Sequence, residues 1–210
     1  PARTEGPPIP YTLDGAEPTE ASPLYEGPFR IDASCIIRAR AFLDGLPPSP
    51  VTGRTAHKLY FQPSVERVGL KPGCRYTYHT ANFQLVSQVE PDPPEGTGMM
   101  KEPSIAGAPD EDHFAYLFSG YIDIPEDGIW SFALKSDDGS ALWVDGVNVV
   151  SNDGSHSAAV ASGTIPLMKG LHPYKLVYFD DYEGQELSWS WKAPGAASFS
   201  PVPASRLYYK

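Results

Sequence analysis

The sequence predicts an all-β protein made of two β-sandwich modules in series. Proline and glycine, which number 23 and 19 among 210 residues, interrupt the chain at short intervals, as they do in sandwiches and barrels. Apolar residues do not recur at the three- and four-residue spacing of an amphipathic helix through any helix-length window. They alternate with polar residues instead, which is the pattern of half-buried strands.

Four segments in the C-terminal two thirds alternate most clearly, namely "AYLFSGYIDI", "IWSFALKS", "PYKLVYF" and "ELSWSWK". Period-2 spacing places one set of side chains inward: Tyr116, Phe118, Ile122, Ile124, Trp130, Phe132, Leu134, Tyr174, Leu176, Tyr178, Leu187, Trp189 and Trp191. Val177 and Phe179 fall on the opposite face. We also expect Trp143 in the core. Turn residues at 126–128, 138–139, 145–146 and 169–170 predict tight hairpins between these runs.

The chain divides around the segment "QPSVERVGL". We predict a tail over 1–6, a first module over 7–61, a linker over 62–70 and a larger second module over 71–210. Within the second module, the proline-rich stretch "VEPDPPEGTG", residues 89–98, reads as a long surface loop.

The charge balance argues against two classes of partner. Lys and Arg number 16 and Asp and Glu 26, which gives a net charge of −10. A field of this sign opposes binding to nucleic acid and to anionic lipid surfaces. No apolar run approaches the roughly 20 residues that span a bilayer. Since the chain opens at "PARTEGPPIPYTLDG" without a signal peptide, we expect a fragment or processed product.

The sequence contains two cysteines, Cys35 and Cys74, which allow at most one disulfide and no metal site of cysteine spacing. In "SCIIRARAF", Cys35 shares a strand face with Ile37 and Ala39, which favours a small buried apolar side chain. A Cys35–Cys74 bridge, which would join the two modules, stays open as the alternative.

Two adjacent carboxylates, Asp137 and Asp138, stand in "KSDDGSALWVDG" where neighbouring like charges repel. Three interpretations stay open: a hydrated turn, a catalytic pair, or part of a cation site. Glycosidic cleavage needs carboxyls about 5–9 Å apart on opposite sides of the bond, which two neighbours in one tight turn rarely provide. A hard cation such as Ca²⁺ takes about six to eight oxygen ligands and would cancel the repulsion.

Further polar loops flank this pair. "NDGSHS" offers Asn152 and His156 either as sugar ligands or as parts of an Asx-type turn. "DEDHF", residues 110–114, reads as a solvated acidic loop before a strand. Tyr182, on the polar loop 180–186, is the best candidate to stack against a sugar ring, against the alternative of an incidental loop tyrosine. No nucleophile elbow, phosphate loop or dinucleotide fingerprint is present.

Two family resemblances follow from quoted motifs. "YTLDGAEPTEASPLYEGPFRI" and "IIRARAF" resemble the C-terminal β-sandwich of chitobiases and β-hexosaminidases, over roughly residues 8–61. "FSGYIDIPEDGIWSFALKSDDGSALWVDG", "NDGSHS", "SGTIPLMKGLHPYKLVYFDDYEGQELSWSWKAPG" and "PVPASRLY" resemble the PA-14 domain, the sandwich named after the protective antigen of a bacterial toxin, over roughly residues 71–210. The second resemblance implies carbohydrate recognition in several branches and a structural role in others.

The adhesin branch of that family implies a specific site. There the aligned Asp-Asp pair, joined by a cis peptide, binds Ca²⁺ that contacts sugar hydroxyls, and a second loop supplies an Asn and backbone carbonyls. Here the second loop is "DDYEGQE", which offers Asp180 and Asp181 but no Asn. The implied metal ligands are Asp137, Asp138, Asp180 and Asp181. The implied sugar-binding residues add Tyr182, Asn152 and His156 to these four.

We therefore predict a non-catalytic, carbohydrate-binding accessory region of an extracytoplasmic glycoside hydrolase that resembles β-N-acetylhexosaminidases. The expected partners are a glycan or polysaccharide and the catalytic domain of the parent chain, without nucleic acid and without membrane insertion. The alternative is a structural spacer that packs on a catalytic domain and shapes its active-site rim. A third interpretation, in which the fragment is itself an enzyme, has no motif in its support.

Overall fold

The computed structural model describes residues 6–110 and 112–210 and divides the chain into two compact units, residues 1–60 and 61–210. Residues 1–5 of the predicted tail lie outside the described part. All regular elements are strands apart from two short 3-10 turns, which confirms the all-β prediction. No helix in the described ranges is long and apolar enough to cross a membrane.

The first unit contains one antiparallel sheet. Its strands are β1 (Tyr11–Thr12), β2 (Cys35–Ala39) and β3 (Thr52–Ala56), in the order β1-β2-β3. Burial alternates along β2 as predicted, with Cys35, Ile37 and Ala39 on the more covered face. Yet Cys35 is only half-buried, because no second layer of described residues covers this face; the expectation of a buried thiol was wrong. Cys35 and Cys74 are both free thiols.

The described residues of the second unit form twelve strands in two sheets. The strands are β4 (Lys71–Pro72), β5 (Cys74–Thr80), β6 (Gly96–Met100), β7 (Phe114–Ile124), β8 (Gly128–Asp137), β9 (Ser140–Val144), β10 (Val147–Asn152), β11 (Ala159–Leu167), β12 (Gly170–Asp180), β13 (Glu186–Lys192), β14 (Ser200–Pro201) and β15 (Leu207–Tyr209), and the 3-10 turns are Val86–Gln88 and Ala204–Arg206. An eight-stranded sheet follows the order β10-β9-β12-β7-β15-β4, with β5 on β7 and β6 on β5. The other sheet has the order β11-β8-β13-β14.

The core lies between these two sheets, as in a β-sandwich. The predicted inward residues of β7, β8, β12 and β13 are buried there, except for Leu187, which is half-buried at its rim. Trp130, Trp189 and Trp191 are core residues as predicted, with 1%, 8% and 8% of their surfaces exposed. The alternation pattern thus identifies both the strands and their buried faces.

A second apolar cluster covers the outer face of the eight-stranded sheet. Val177 and Phe179 of β12 pack there with Phe83, Val86 and Val89. The predicted surface loop 89–98 is therefore wrong at both ends: Val89 is fully buried in this cluster, and β6 begins at Gly96.

Trp143 faces this outer side as well, because its neighbours Leu142 and Val144 face inward. It is half-buried, and the Lys175 ammonium lies 4.8 Å from its ring centroid. Its predicted place in the core is corrected to this outer cluster.

The segment predicted as a linker is attached to the second unit. The backbone N–H of Gln62 donates to Pro166 O at 2.9 Å, and that of Val65 donates to Leu171 O at 2.8 Å. These bonds hold residues 62–65 against the start of β12 and the end of β11.

Candidate functional site

Four chain segments meet at one end of the second unit. They are the end of β8 at Asp137–Asp138, the β10–β11 loop, the β12–β13 loop and the residues just before β7. Strand pairing brings them together, because Asp137 is opposite Glu186, Ser136 is opposite Ala159, and Asp180 is opposite Phe114. All seven sequence-predicted site residues lie in this cluster, which we call the loop-end cluster.

Asp138 lies at the centre of the loop-end cluster. Its carboxylate is 3% exposed and accepts backbone hydrogen bonds from two loops. Oδ1 accepts from His156 N at 2.8 Å, and Oδ2 accepts from Asp181 N at 2.9 Å and from Tyr182 N at 3.4 Å. The peptide bond between Asp137 and Asp138 is cis. Asp138 is therefore the anchor of both loops rather than a solvated turn residue.

Gly139 completes the turn because no side chain fits there. A Cβ atom on Gly139 would lie 2.2 Å from Cε1 of the buried Phe179 ring. Packing against β12 therefore requires the glycine of "DDGS" as much as the turn geometry does.

Asp137 is more accessible than its neighbour. Its Oδ2 accepts from Ala158 N at 2.8 Å, and its backbone carbonyl accepts from the Tyr178 hydroxyl at 2.6 Å. The loop 180–186 passes close to this carboxylate, since a Cβ atom on Gly184, at φ +100°, would lie 3.0 Å from Oδ2. Glycine at this position lets the loop approach Asp137.

Asp180 is fully buried beneath the loops, and its Oδ2 has no hydrogen-bond partner among the described residues. Burial, followed by the nearby carboxylates of Asp138, Asp112 and Asp137, raises the pKa of Asp180 to about 7, although the Tyr178 hydroxyl opposes this shift. The Asp180 carboxyl group therefore changes between its protonated and ionised forms near neutral pH.

Asn152 and His156 hold the β10–β11 loop together. The Asn152 amide donates to Ser136 Oγ at 2.8 Å and to Ala159 O at 3.1 Å. The ring nitrogens of His156 lie 2.9 Å from Ser157 O and 3.1 Å from Asn152 O, so both are donors when the ring is protonated. Burial lowers the pKa of His156, but these two carbonyls together with the Asp138 carboxylate raise it above the ordinary value.

The exposed rim of the cluster is formed by Asp181 and Tyr182. Asp181 Oδ2 accepts from the Ser155 hydroxyl, and its side chain is 18% exposed. Tyr182 is 63% exposed. Together with Asp137, these residues present carboxylate oxygens beside an open aromatic ring.

The acidic segment before β7 also belongs to the loop-end cluster, which the sequence did not predict. Asp112 Oδ1 accepts from Glu183 N at 3.3 Å, and the rings of His113 and Tyr182 have centroids 6.1 Å apart. The interpretation of "DEDHF" as a merely solvated loop is corrected for Asp112 and His113; Glu111 lies outside the described residues. The partners are 71 residues apart in the chain, so no local pattern signals the contact.

Four carboxylates of the loop-end cluster are the candidate ligands of a cation. Asp180 Oδ2, buried and without a partner, is an oxygen that a cation or a proton would satisfy. Each of the other three predicted ligands already accepts at least one N–H or O–H. Within residues 6–110 and 112–210, no group of three or more His, Cys, Asp or Glu side chains is arranged to hold a metal ion. The loop-end cluster thus offers one buried oxygen that a cation would satisfy, whereas the other three carboxylates are engaged by the protein's own donors.

Comparison with known proteins agrees with this architecture. The PA14 domain model matches residues 70–205. The chain belongs to the PA14 domain family. The model of the chitobiase/beta-hexosaminidase C-terminal domain matches residues 2–53. Both sequence resemblances are thereby confirmed.

Individual relatives are more distant. A beta-hexosaminidase of Porphyromonas gingivalis is 26% identical over 94% of this chain, which spans only 27% of that protein. The PA14 sugar-binding domain from an RTX adhesin superposes with a TM-score of 0.53 at 16% identity, covering 66% of this chain and 99% of the adhesin domain. The subtype-switched Epithelial Adhesin 9 to 1 A domain from Candida glabrata, in complex with beta-lactose, gives 0.55 at 11% identity, covering 72% and 93%. These superpositions show the shared sandwich fold.

Proposed function

We propose that this chain is a non-catalytic, carbohydrate-binding accessory region of a secreted, periplasmic or cell-surface glycoside hydrolase. PA14 membership and the partial match to a beta-hexosaminidase support the class of protein. The observation that carries the proposal is the exposed rim of the loop-end cluster, where Tyr182 lies beside Asp181. Recognition on the loops fits this fold, because the strands are committed to the core.

We assign two roles to the seven predicted residues. Asp137, Asp181 and Tyr182 bind the glycan: the carboxylates accept hydrogen bonds from sugar hydroxyls, and the aromatic ring covers the apolar face of a pyranose. The other four, Asp138, Asp180, Asn152 and His156, are buried or occupied by bonds to the protein and position the loops.

Two properties of the carboxylates support a non-catalytic role. A glycosidase needs one carboxyl that protonates the leaving oxygen and a second that acts from across the bond. Asp138, whose oxygens accept three backbone N–H groups, and Asp180, which is fully buried, are not open to a sugar. We place the chemistry of the parent protein in its catalytic domain, the proposed partner of this region.

Calcium at Asp137, Asp138, Asp180 and Asp181 stays a prediction from the family resemblance. A cation that binds only the folded state at a hundredfold excess over its Kd adds about 2.7 kcal/mol of stability. Calcium binding would therefore raise the melting temperature of the second unit by several degrees between EDTA and millimolar Ca²⁺. An unchanged melting temperature would contradict the prediction, and Mg²⁺ at equal ionic strength is the control.

The second candidate function is a structural spacer on a catalytic domain. It is favoured by the way Asp138 uses both carboxylate oxygens to bind the protein's own loops. A glycan array decides between the two functions. Sugar binding predicts a signal for one class of glycan, whereas a spacer predicts none with or without Ca²⁺.

A further inference from the structure

The aromatic surface of the loop-end cluster contains two rings from distant segments. The centroids of His113 and Tyr182 are 6.1 Å apart with an angle of 33° between the ring planes. The His113 side chain is 44% exposed and Tyr182 is 63% exposed, so both rings reach solvent. The two exposed rings are thus close neighbours, and the His113 ring also lies near the carboxylate of Asp181.

One side-chain and one backbone hydrogen bond hold the segments that carry these rings. Asp112 Oδ1 accepts from Glu183 N at 3.3 Å and fastens the segment before β7 to the 180–186 loop. The carbonyl of His113 accepts from Ala81 N at 3.1 Å. His113 and Glu183 both have a positive φ, at 57° and 53°, in conformations that few non-glycine residues adopt. These hydrogen bonds and backbone conformations fix the positions from which the two rings project.

No hydrogen bond to the His113 ring nitrogen Nδ1 accounts for the position of this ring. Nδ1 is buried without a hydrogen bond among the described residues, and Asp181 Oδ1 is 3.9 Å away. By contrast, both ring nitrogens of the buried His172 lie within 2.7 Å of an acceptor, Asp145 Oδ2 or Met168 O. A histidine held for stability alone would resemble His172.

We propose that His113 and Tyr182 form a two-ring platform that binds the apolar face of a pyranose, with Asp181 accepting hydrogen bonds from hydroxyls at the edge of that sugar. This inference rests on the proposed function and makes the segment before β7 part of the glycan site. An aromatic pair presents a larger apolar surface than Tyr182 alone, and preorganised rings bind at a lower entropic cost.

The test uses the whole chain and two sugars, N,N′-diacetylchitobiose and β-lactose, followed by ligand-observed NMR. His113→Asn removes the ring while tolerating a positive φ. His113→Phe restores a ring at some cost in stability, because a bulky residue rarely adopts a φ of 57°. His57→Asn, at an exposed histidine of the first unit, is the matched control. Melting temperatures are measured for every variant to confirm folding.

The platform predicts that His113→Asn weakens binding about three- to tenfold, as expected for the loss of one aromatic contact. His113→Phe and His57→Asn should bind within twofold of the wild type. The ring-current shift of the sugar C–H protons should shrink in His113→Asn and return in His113→Phe, a readout that a purely structural role would not change.

Two negative results are distinguishable. If the wild type binds a sugar and folded His113→Asn binds it equally well, the platform is wrong while the proposed function stands. If the wild type binds neither these sugars nor any glycan on an array, the proposed function fails and the platform with it.

Discussion

The same alternating pattern of apolar and polar residues leads to very different burial in the two units. In the first unit, β2 alternates as a strand should, yet Pro10 and Pro18 are the buried residues among those described, and large side chains such as Tyr25 and Phe29 are about half exposed. In the second unit, the alternation of β7 and β8 produces faces buried in a sandwich core. Alternation therefore tells which face of a strand is apolar, but not whether a second layer covers it.

The largest expected effect is the loss of stability when an aromatic side chain is removed, which should be much greater in the second unit than in the first. Trp189→Ala removes a ring, 8% exposed, that packs on Tyr174 and Phe132, and should destabilise the second unit by about 3–5 kcal/mol. Phe29→Ala in the first unit, where the ring is 43% exposed, should cost about 1 kcal/mol. Urea denaturation of both variants measures the contrast, and equal losses would contradict the difference in core formation.

The next effect concerns the buried carboxylate. Asp138→Asn replaces an acceptor of three backbone N–H groups by an amide that presents donors to some of them, and should cost about 2–3 kcal/mol. A hydrated turn, one of the three interpretations that the sequence left open, would predict little loss, whereas Asp138 is buried. Asp14→Asn, at an exposed turn of the first unit with one acceptor bond to Ala16 N, is the control and should change stability little.

The core tryptophans, Asp138 and His113 show which features of the fold and of the site could be predicted from the sequence. The strands and core tryptophans of the second unit were predictable, because the periodicity that specifies them is local. Of the four predicted hairpins, only the turn at 145–146 joins paired strands, β9 and β10. The other three were wrong, because the turns at 126–128, 138–139 and 169–170 connect strands of different sheets. The roles of Asp138 and His113 were not predictable, because their partners are distant in the chain. Asp138 accepts from the N–H of Asp181, 43 residues away. The His113 ring lies against the Tyr182 ring of a separate loop. The clustering of all seven predicted site residues came from family resemblance, whereas their division into buried and accessible groups required coordinates.

A smaller effect appears in the pH dependence of stability. The ordinary pKa of an aspartate is 3.8, and burial beside other carboxylates raises that of Asp180 to about 7 in the folded state. The folded state therefore binds more protons than the unfolded state between these values. This contribution is fully present below pH 4 and is lost as the pH rises through 7.

Asp180→Asn should remove this pH-dependent contribution. Thermal melts from pH 5 to pH 8 give the stability of the wild type and of the variant at each pH. The readout is how the difference in stability between the two proteins changes with pH. If the difference in stability between the wild type and Asp180→Asn is the same at every pH in this range, Asp180 is ionised throughout, which contradicts the prediction. If Ca²⁺ binds there, adding it should remove the pH dependence of this difference, because a cation favours the ionised carboxylate.

The measurement that most directly tests the glycan site compares one exposed tyrosine from each unit. Tyr182 is 63% exposed in the loop-end cluster and Tyr60 is 77% exposed in the first unit, so neither substitution to alanine should unfold the protein. Calorimetric titration with the strongest glycan from an array should give a wild-type Kd of about 0.1–1 mM, as expected of a shallow site. Tyr182→Ala should weaken binding about two- to tenfold, while Tyr60→Ala should not change it. Unchanged affinity in Tyr182→Ala, or loss of binding in Tyr60→Ala, would contradict a glycan site at the loop end of the second unit.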